Sequence, residues 1–141
     1  MTDADPTAVE FFGLAERLNA LRALESFGAR VSILREGEAT VNIGVIQEFH
    51  MGGIEVHAIN GMTLMGLLDS AMCAAALSRL AGRRCATVNM SVQFIKPVSA
   101  HTVTATGRVV SRTRDLLFCE SWVSDARGRR RVKAMGLIQA I

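Results

Sequence analysis

One stretch of the chain combines an unusual composition with a reactive group: His57 to Leu80, HAINGMTLMGLLDSAMCAAALSRL. From Ala58 to Leu77 it is apolar or small at almost every position, and Asp69 is its only charged residue. A carboxylate in such surroundings is costly to keep ionised unless it has a partner, a helix N-terminus, a raised pKa or water in a cleft. Thr63 reads as the N-cap of a helix, and Asp69, six residues later, falls about two turns into it. Gly61 lies just before that start, where free N–H groups and the positive dipole end favour a developing anion. A carboxylate and an anion hole on one element make a hydrolytic site. A structural Asp bonded to nearby backbone is the plainer alternative.

The element carrying these groups is long enough to suggest a membrane span, but a central Asp costs roughly 2.5 to 3.5 kcal/mol on insertion scales, and Asn60, Gly61 and Gly66 interrupt the run. A helix buried in a globular domain fits better. Leu64, Leu67, Leu68, Ala71, Met72 and Ala75 recur at helical spacing, while Gly66, Ser70, Cys73, Ala74 and Ala76 leave little bulk elsewhere, so other elements must wrap it closely.

The 141 residues suit one domain with a sufficient core, and half of them are hydrophobic, which excludes a disordered chain. MTDADPTAVEFF lacks the basic region and apolar core of a signal peptide. Cys73, Cys85 and Cys119 are odd in number, widely spaced and without a C-x-x-C, so they read as reduced core thiols and the expectation is a cytoplasmic protein. His50 and His57 have no recognisable ligand spacing, and no metal or other cofactor is expected. The net charge of +3 is concentrated in Arg83–Arg84 and in Arg127, Arg129, Arg130, Arg131 and Lys133. No aromatic residues interleave with these, which argues against nucleic acid and leaves a solvated hairpin tip or phosphate binding.

Around the central helix the order of elements is legible. TAVEFFGLAERLNALRALESFG predicts one N-terminal helix, with a Thr7–Glu10 capping box, an apolar stripe of Phe11, Leu14, Ala15, Leu18 and Leu21, and Gly28 as its stop. ARVSILR and EATVNIGVI alternate as a hairpin turning at Glu36-Gly37, and QEFHMGGIEVHAING reads as a loop. In TVNMSVQFIKPV, Val88, Met90, Val92 and Phe94 are expected on one face and Thr87, Asn89, Ser91 and Gln93 on the other. Three more strands follow, divided by Arg114-Asp115 and by the turn Asp125 to Gly128. Strand runs with short turns and a single long hydrophobic helix imply an α+β domain, its antiparallel sheet covered by that helix. Residues 1–28 are expected as a helical extension and 29–141 as one domain.

In this order, N-G-M-T-L-M-G-L-L-D-S-A-M, T-V-N-M-S-V-Q-F-I-K-P-V, and T-G-R-V-V-S-R followed by D-A-R-G-R resemble the hotdog-fold acyl-CoA thioesterases of the PaaI type, over residues 29 to 141. The resemblance implies an antiparallel sheet curved around one long helix. It also implies homodimers that commonly assemble into homotetramers, with active sites at the dimer interface. The family's H-G-G with an acid on the following helix falls on Asn60-Gly61-Met62 and Asp69. Asp69 is then the general base or nucleophile, and the Gly61 N–H the oxyanion donor. Thr87 matches a Ser or Thr that positions water from the partner subunit.

This sequence departs from the family at Asn60, which cannot titrate but is expected to donate a hydrogen bond to the thioester carbonyl. It departs again upstream, where Ile54 stands in the register of a polar residue and His50 or His57 could supply that role. Substrate contacts are expected from His57, Met62 and Arg84, the last through the phosphates of coenzyme A. The implied function is hydrolysis of a small to medium or aromatic acyl-CoA thioester. The alternative is a non-catalytic hotdog module that binds acyl-CoA. The hydratase branch of the fold does not match the motif.

Overall fold

In chain order the computed structural model has α1 (Pro6–Asn19), α2 (Arg22–Phe27), β1 (Ala29–Arg35), β2 (Glu38–Ile43), a 3-10 turn (Glu48–His50), β3 (Met51–Gly52), β4 (Ala58–Ile59), α3 (Gly61–Leu77), β5 (Cys85–Phe94), β6 (Val103–Thr113), β7 (Leu116–Ser124) and β8 (Arg130–Ala140). It describes residues 6–53, 55 and 57–141. Six strands form one antiparallel sheet in the order β1-β2-β6-β7-β8-β5. The sheet curves around α3, which touches every one of its strands.

The spacing of apolar residues explains that packing. Leu64, Leu67, Leu68, Ala71, Met72 and Ala75 are all buried, and they meet Val41, Ile43, Ala105, Leu117, Val132 and Ile138 of the sheet. The approach is closest at β6, where a Cβ on Gly107 would lie 2.2 Å from the Ala71 carbonyl oxygen and 2.7 Å from the Met72 nitrogen. Helix and strand backbones touch there, so only glycine fits. α3 therefore has a covered face and an uncovered one, and the uncovered one carries Met62, Met65, Gly66, Asp69, Ser70 and Cys73.

Four local expectations need correcting. The N-terminal helix is two helices, with Thr7 in the first turn of α1. The break follows Asn19, whose side chain accepts from the Val31 N–H at 2.7 Å and donates to the Val31 carbonyl at 3.0 Å, tying the end of α1 to β1. Gly28 does end α2, in the left-handed conformation with φ 67°. The N-cap of α3 is Asn60 and not Thr63, as the Thr63 N–H donates to Asn60 Oδ1 at 2.8 Å. The segment from Gln47 to Gly61 is more than a loop, because β3 and β4 pair at Met51–Ile59 and Gly52–Ala58, a ladder too short to show a period.

The fourth correction bears on the site. Pairing of β5 with β8 slips by one residue between Thr87 and Asn89, a β-bulge. A single inserted residue moves every later side chain to the other face. Cys85 and Thr87 before the bulge, and Met90 and Val92 after it, are the half-buried positions, while Val88 is exposed. Thr87 thereby faces the helix.

Replacing Gly107 by Ala should lower unfolding stability by at least ~2 kcal/mol, as overpacking against rigid backbone does. Gly66→Ala, where a Cβ would meet nothing within 4 Å, should instead stabilise by ~0.5 to 1 kcal/mol. Urea midpoints of the two variants check this, and equal midpoints would contradict the close approach.

Candidate active site

Asp69 projects from the uncovered face of α3, half-buried, toward the start of β5. Thr87 Oγ1 donates to Asp69 Oδ1 at 2.6 Å. A hydroxyl has one proton to give, so the Thr87 oxygen is left to accept from the Cys73 thiol 3.3 Å away, one helical turn beyond Asp69. Asp69 Oδ1 thus takes the Thr87 bond and a long contact of 3.9 Å from Cys73, while Oδ2 has no hydrogen bond to any of the described residues. One carboxylate oxygen fixes the group's orientation and the other is available.

The thiols around this pair differ. Cys73 is pushed up by its interaction with Cys85 and by burial, so it keeps its proton. Cys85 is lowered by the same partner, and Cys119 is pushed up to about 12 by burial. Cys73 beside Asp69 is therefore a neutral donor, not a competing nucleophile.

At the other end of α3, Asn60 is fully committed. Its Nδ2 donates to the carbonyls of Phe49 at 3.0 Å and Met51 at 3.2 Å, while Oδ1 caps the helix. Both amide hydrogens are used, so Asn60 has none to offer a thioester carbonyl, contrary to the expectation from sequence. Its three bonds hold the start of α3 in place. Gly52 permits this approach, since a Cβ there would lie 2.6 Å from Asn60 Cβ. Gly61 is the first residue of the helix, exposed, with no acceptor for its N–H among the described residues.

Asp69, Asn60 and Met62 border one apolar chamber of about 550 Å³ between the uncovered face of α3 and the N-terminal layer. Among the described residues no group of three His, Cys, Asp or Glu could hold a metal ion, and no helix is long and apolar enough to cross a membrane.

A family model for the thioesterase superfamily matches residues 57–131, more than half of the chain. The chain belongs to the thioesterase superfamily. No curated protein sequence matches it. Solved structures share its fold. The PaaI protein of the phenylacetic acid degradation operon of E. coli aligns with TM-score 0.81 at 18% identity, over 96% of this chain and 94% of that one. A thioesterase from Haemophilus influenzae aligns with TM-score 0.77 at 14% identity, over 93% and 90%. A Streptococcus mutans protein bound to acetyl CoA aligns with TM-score 0.69 at 16% identity, over 80% and 88%. The chain has the hotdog fold that these structures share.

Within this thioesterase-superfamily chain, the structure brings some predicted residues together and separates others. Asp69 and Thr87 meet within one subunit, whereas the family pattern implied a Thr87 from the partner. His57 is exposed and away from the chamber, its carbonyl accepting the Ser99 hydroxyl. Arg84 lies with Arg17 and Arg83 in a separate groove of about 370 Å³ near the C-terminal end of α3. Arg83 is paired with Asp115 at 2.9 Å, and Arg129 and Arg131 with Asp125 at 3.0 and 3.2 Å. His50 does not supply the upstream polar group. It is fully buried, with Nδ1 accepting the Gln47 N–H at 2.8 Å and Nε2 therefore donating to the Phe27 carbonyl at 2.7 Å.

The sequence reading missed Cys73, whose one signal was its place four residues after Asp69, and the chamber walls on α2 and at Phe49. If Asn60 acts through position, Asn60→Ala should lower stability by ~1 to 2 kcal/mol through loss of the cap alone. Asn60→Asp should recover part of this, because it keeps the acceptor for Thr63 while losing both donors. Thermal unfolding of the two variants checks the order, and unchanged midpoints in both would contradict it.

Proposed function

We propose that this chain is an acyl-CoA thioesterase in which Asp69 activates water and a Gly61 N–H polarises the thioester carbonyl. The observation that carries the reading is the oriented Asp69–Thr87 pair, with one free carboxylate oxygen, at the wall of an apolar chamber. Asp69 takes a proton from water as the water oxygen bonds to the carbonyl carbon. Negative charge grows on the carbonyl oxygen, where a helix-terminal N–H stabilises it. The C–S bond then breaks and the thiolate of coenzyme A takes up the proton, leaving the free acid. In the nucleophilic form of the same reading, Asp69 Oδ2 attacks the carbonyl, the C–S bond breaks to release the thiolate of coenzyme A, and water cleaves the resulting anhydride to the free acid and the Asp69 carboxylate.

In this reading base and oxyanion donor come from two copies. Gly61 and Asp69 are eight residues apart on one helix, about 12 Å along its axis. A water-bridged base and the N–H must both lie within a few ångströms of one carbonyl. The reading therefore takes the donor from a second copy of the chain. β5 favours such pairing, as it is a ten-residue edge strand with Val88 and Phe94 exposed, and an open edge is a template for another strand.

The test is thiol release from a panel of acyl-CoAs. Asp69→Asn should lower kcat by roughly 10² to 10⁴-fold. Gly61→Pro should lower it by roughly 10² to 10³-fold. The latter deletes only the N–H, because proline suits the first position of a helix, Asn60 is already extended with ψ 157°, and a Cβ at Gly61 would make ordinary contact with Phe94 at 3.6 Å. Thr87→Ala should have the smallest effect of the three. Rates indifferent to Asp69 and Gly61 would refute the site. Tight acyl-CoA binding without turnover would favour the non-catalytic module, consistent with an Asn60 that has no donor to give.

A further inference from the structure

The chamber beside Asp69 is built from the N-terminal layer as much as from the central helix. Leu24 and Phe27 of α2, with Phe49, face Gly66, Leu67 and Cys73 of α3 across it. Among the described residues its lining holds no Lys, Arg or His, and the ionisable groups there are the Asp69 carboxylate and the Cys73 thiol. The far wall is held firmly. Buried His50 binds the Phe27 carbonyl at the end of α2, and the rings of Phe27 and Phe49 meet edge to face at 5.8 Å, with His50 5.3 Å from Phe27. α2 is fixed again by Gly28, whose N–H returns to the carbonyls of Leu24 and Glu25. The space is thus framed by anchored walls.

The geometry points to this chamber as the pocket for the acyl group, with Leu24 and Phe27 as the residues that decide which acyl groups enter: uncharged, apolar ones larger than acetyl. This rests on the thioesterase reading of Asp69. An apolar group buried here gains about fourfold in kcat/KM per added methylene. An aryl group has ring edges and faces to meet at Phe27 and Phe49. An acyl group that ends in its own carboxylate finds no cation and would be buried near Asp69. The segment from Leu18 to Phe27 is then a specificity element of the enzyme rather than an appendage.

The experiment compares kcat/KM for acetyl-, hexanoyl-, phenylacetyl- and succinyl-CoA with wild type, Leu24→Trp and Phe27→Ala. Wild type should prefer hexanoyl or phenylacetyl over acetyl by at least tenfold and discriminate against succinyl, and which of the two leads tells a linear from an aryl acyl group. Leu24→Trp, which fills the chamber, should cut the hexanoyl-to-acetyl ratio at least fivefold, and Phe27→Ala, which lengthens it, should move the optimum to longer chains. Shifts of opposite sign cannot arise from general loss of fold. A flat panel, succinyl accepted as well as hexanoyl, or ratios unmoved by both variants would overturn the assignment. If wild type hydrolyses nothing, the thioesterase reading fails by itself, and the pocket is read from calorimetric binding of the thioethers S-hexyl-CoA and S-ethyl-CoA. Tighter S-hexyl binding that Leu24→Trp abolishes supports the pocket, and equal affinities overturn it.

Discussion

Everything in this structure depends on a helix that is buried on one face only. The sheet closes around α3 until backbone meets backbone at Gly107, and that contact fixes the rotation of the helix about its own axis. With Leu68, Ala71 and Met72 committed inward, Asp69 has to emerge on the opposite side. A carboxylate on the covered face would be stripped of water and left without a cation. On the uncovered face it keeps one oxygen open and ties the other to Thr87, so it is both oriented and accessible.

The two ends of the site are held by different means. Thr87 is aimed by a bulge in β5, a local irregularity in an otherwise regular ladder. The start of α3 is fixed by Asn60, which gathers the carbonyls of Phe49 and Met51 and the N–H of Thr63 around one side chain. His50 extends that network to α2 through Phe27, and its carbonyl accepts from the Asn60 N–H at 2.8 Å. The segment before the helix, the N-terminal layer and the helix start form one connected unit, and the Gly61 N–H stands at its rim.

Much of this could be read in the sequence. The apolar spacing from Leu64 to Ala75 marked the covered face of α3, and the lone Asp in that run singled out the candidate base. Gly28 and the Glu36-Gly37 turn marked the bounds of α2 and β1. The rest was hidden for physical reasons. A bulge leaves no mark in an alternating run, so Thr87 was assigned to the wrong face although its residue type had singled it out. A break after Asn19 depends on a bond to Val31, twelve residues away, which no local propensity encodes. Asn60 looked like a substitute donor because its type fits that task, and only its three contacts reveal it as a cap. The chamber walls come from segments about forty residues apart in the chain, Leu24 and Leu67 among them, and no local pattern joins them.

In the proposed enzyme each site draws its base from one copy of the chain and its oxyanion donor from another. The most direct measurement mixes Asp69→Asn with Gly61→Pro after joint unfolding and refolding, and follows thiol release from the best acyl-CoA. A mixed dimer contains one site with both defects and one with neither. Activity should recover to about a quarter of the wild-type level at equal mixing, from two variants that are each nearly inactive. Activity no greater than the average of the separate variants would contradict a site shared between copies.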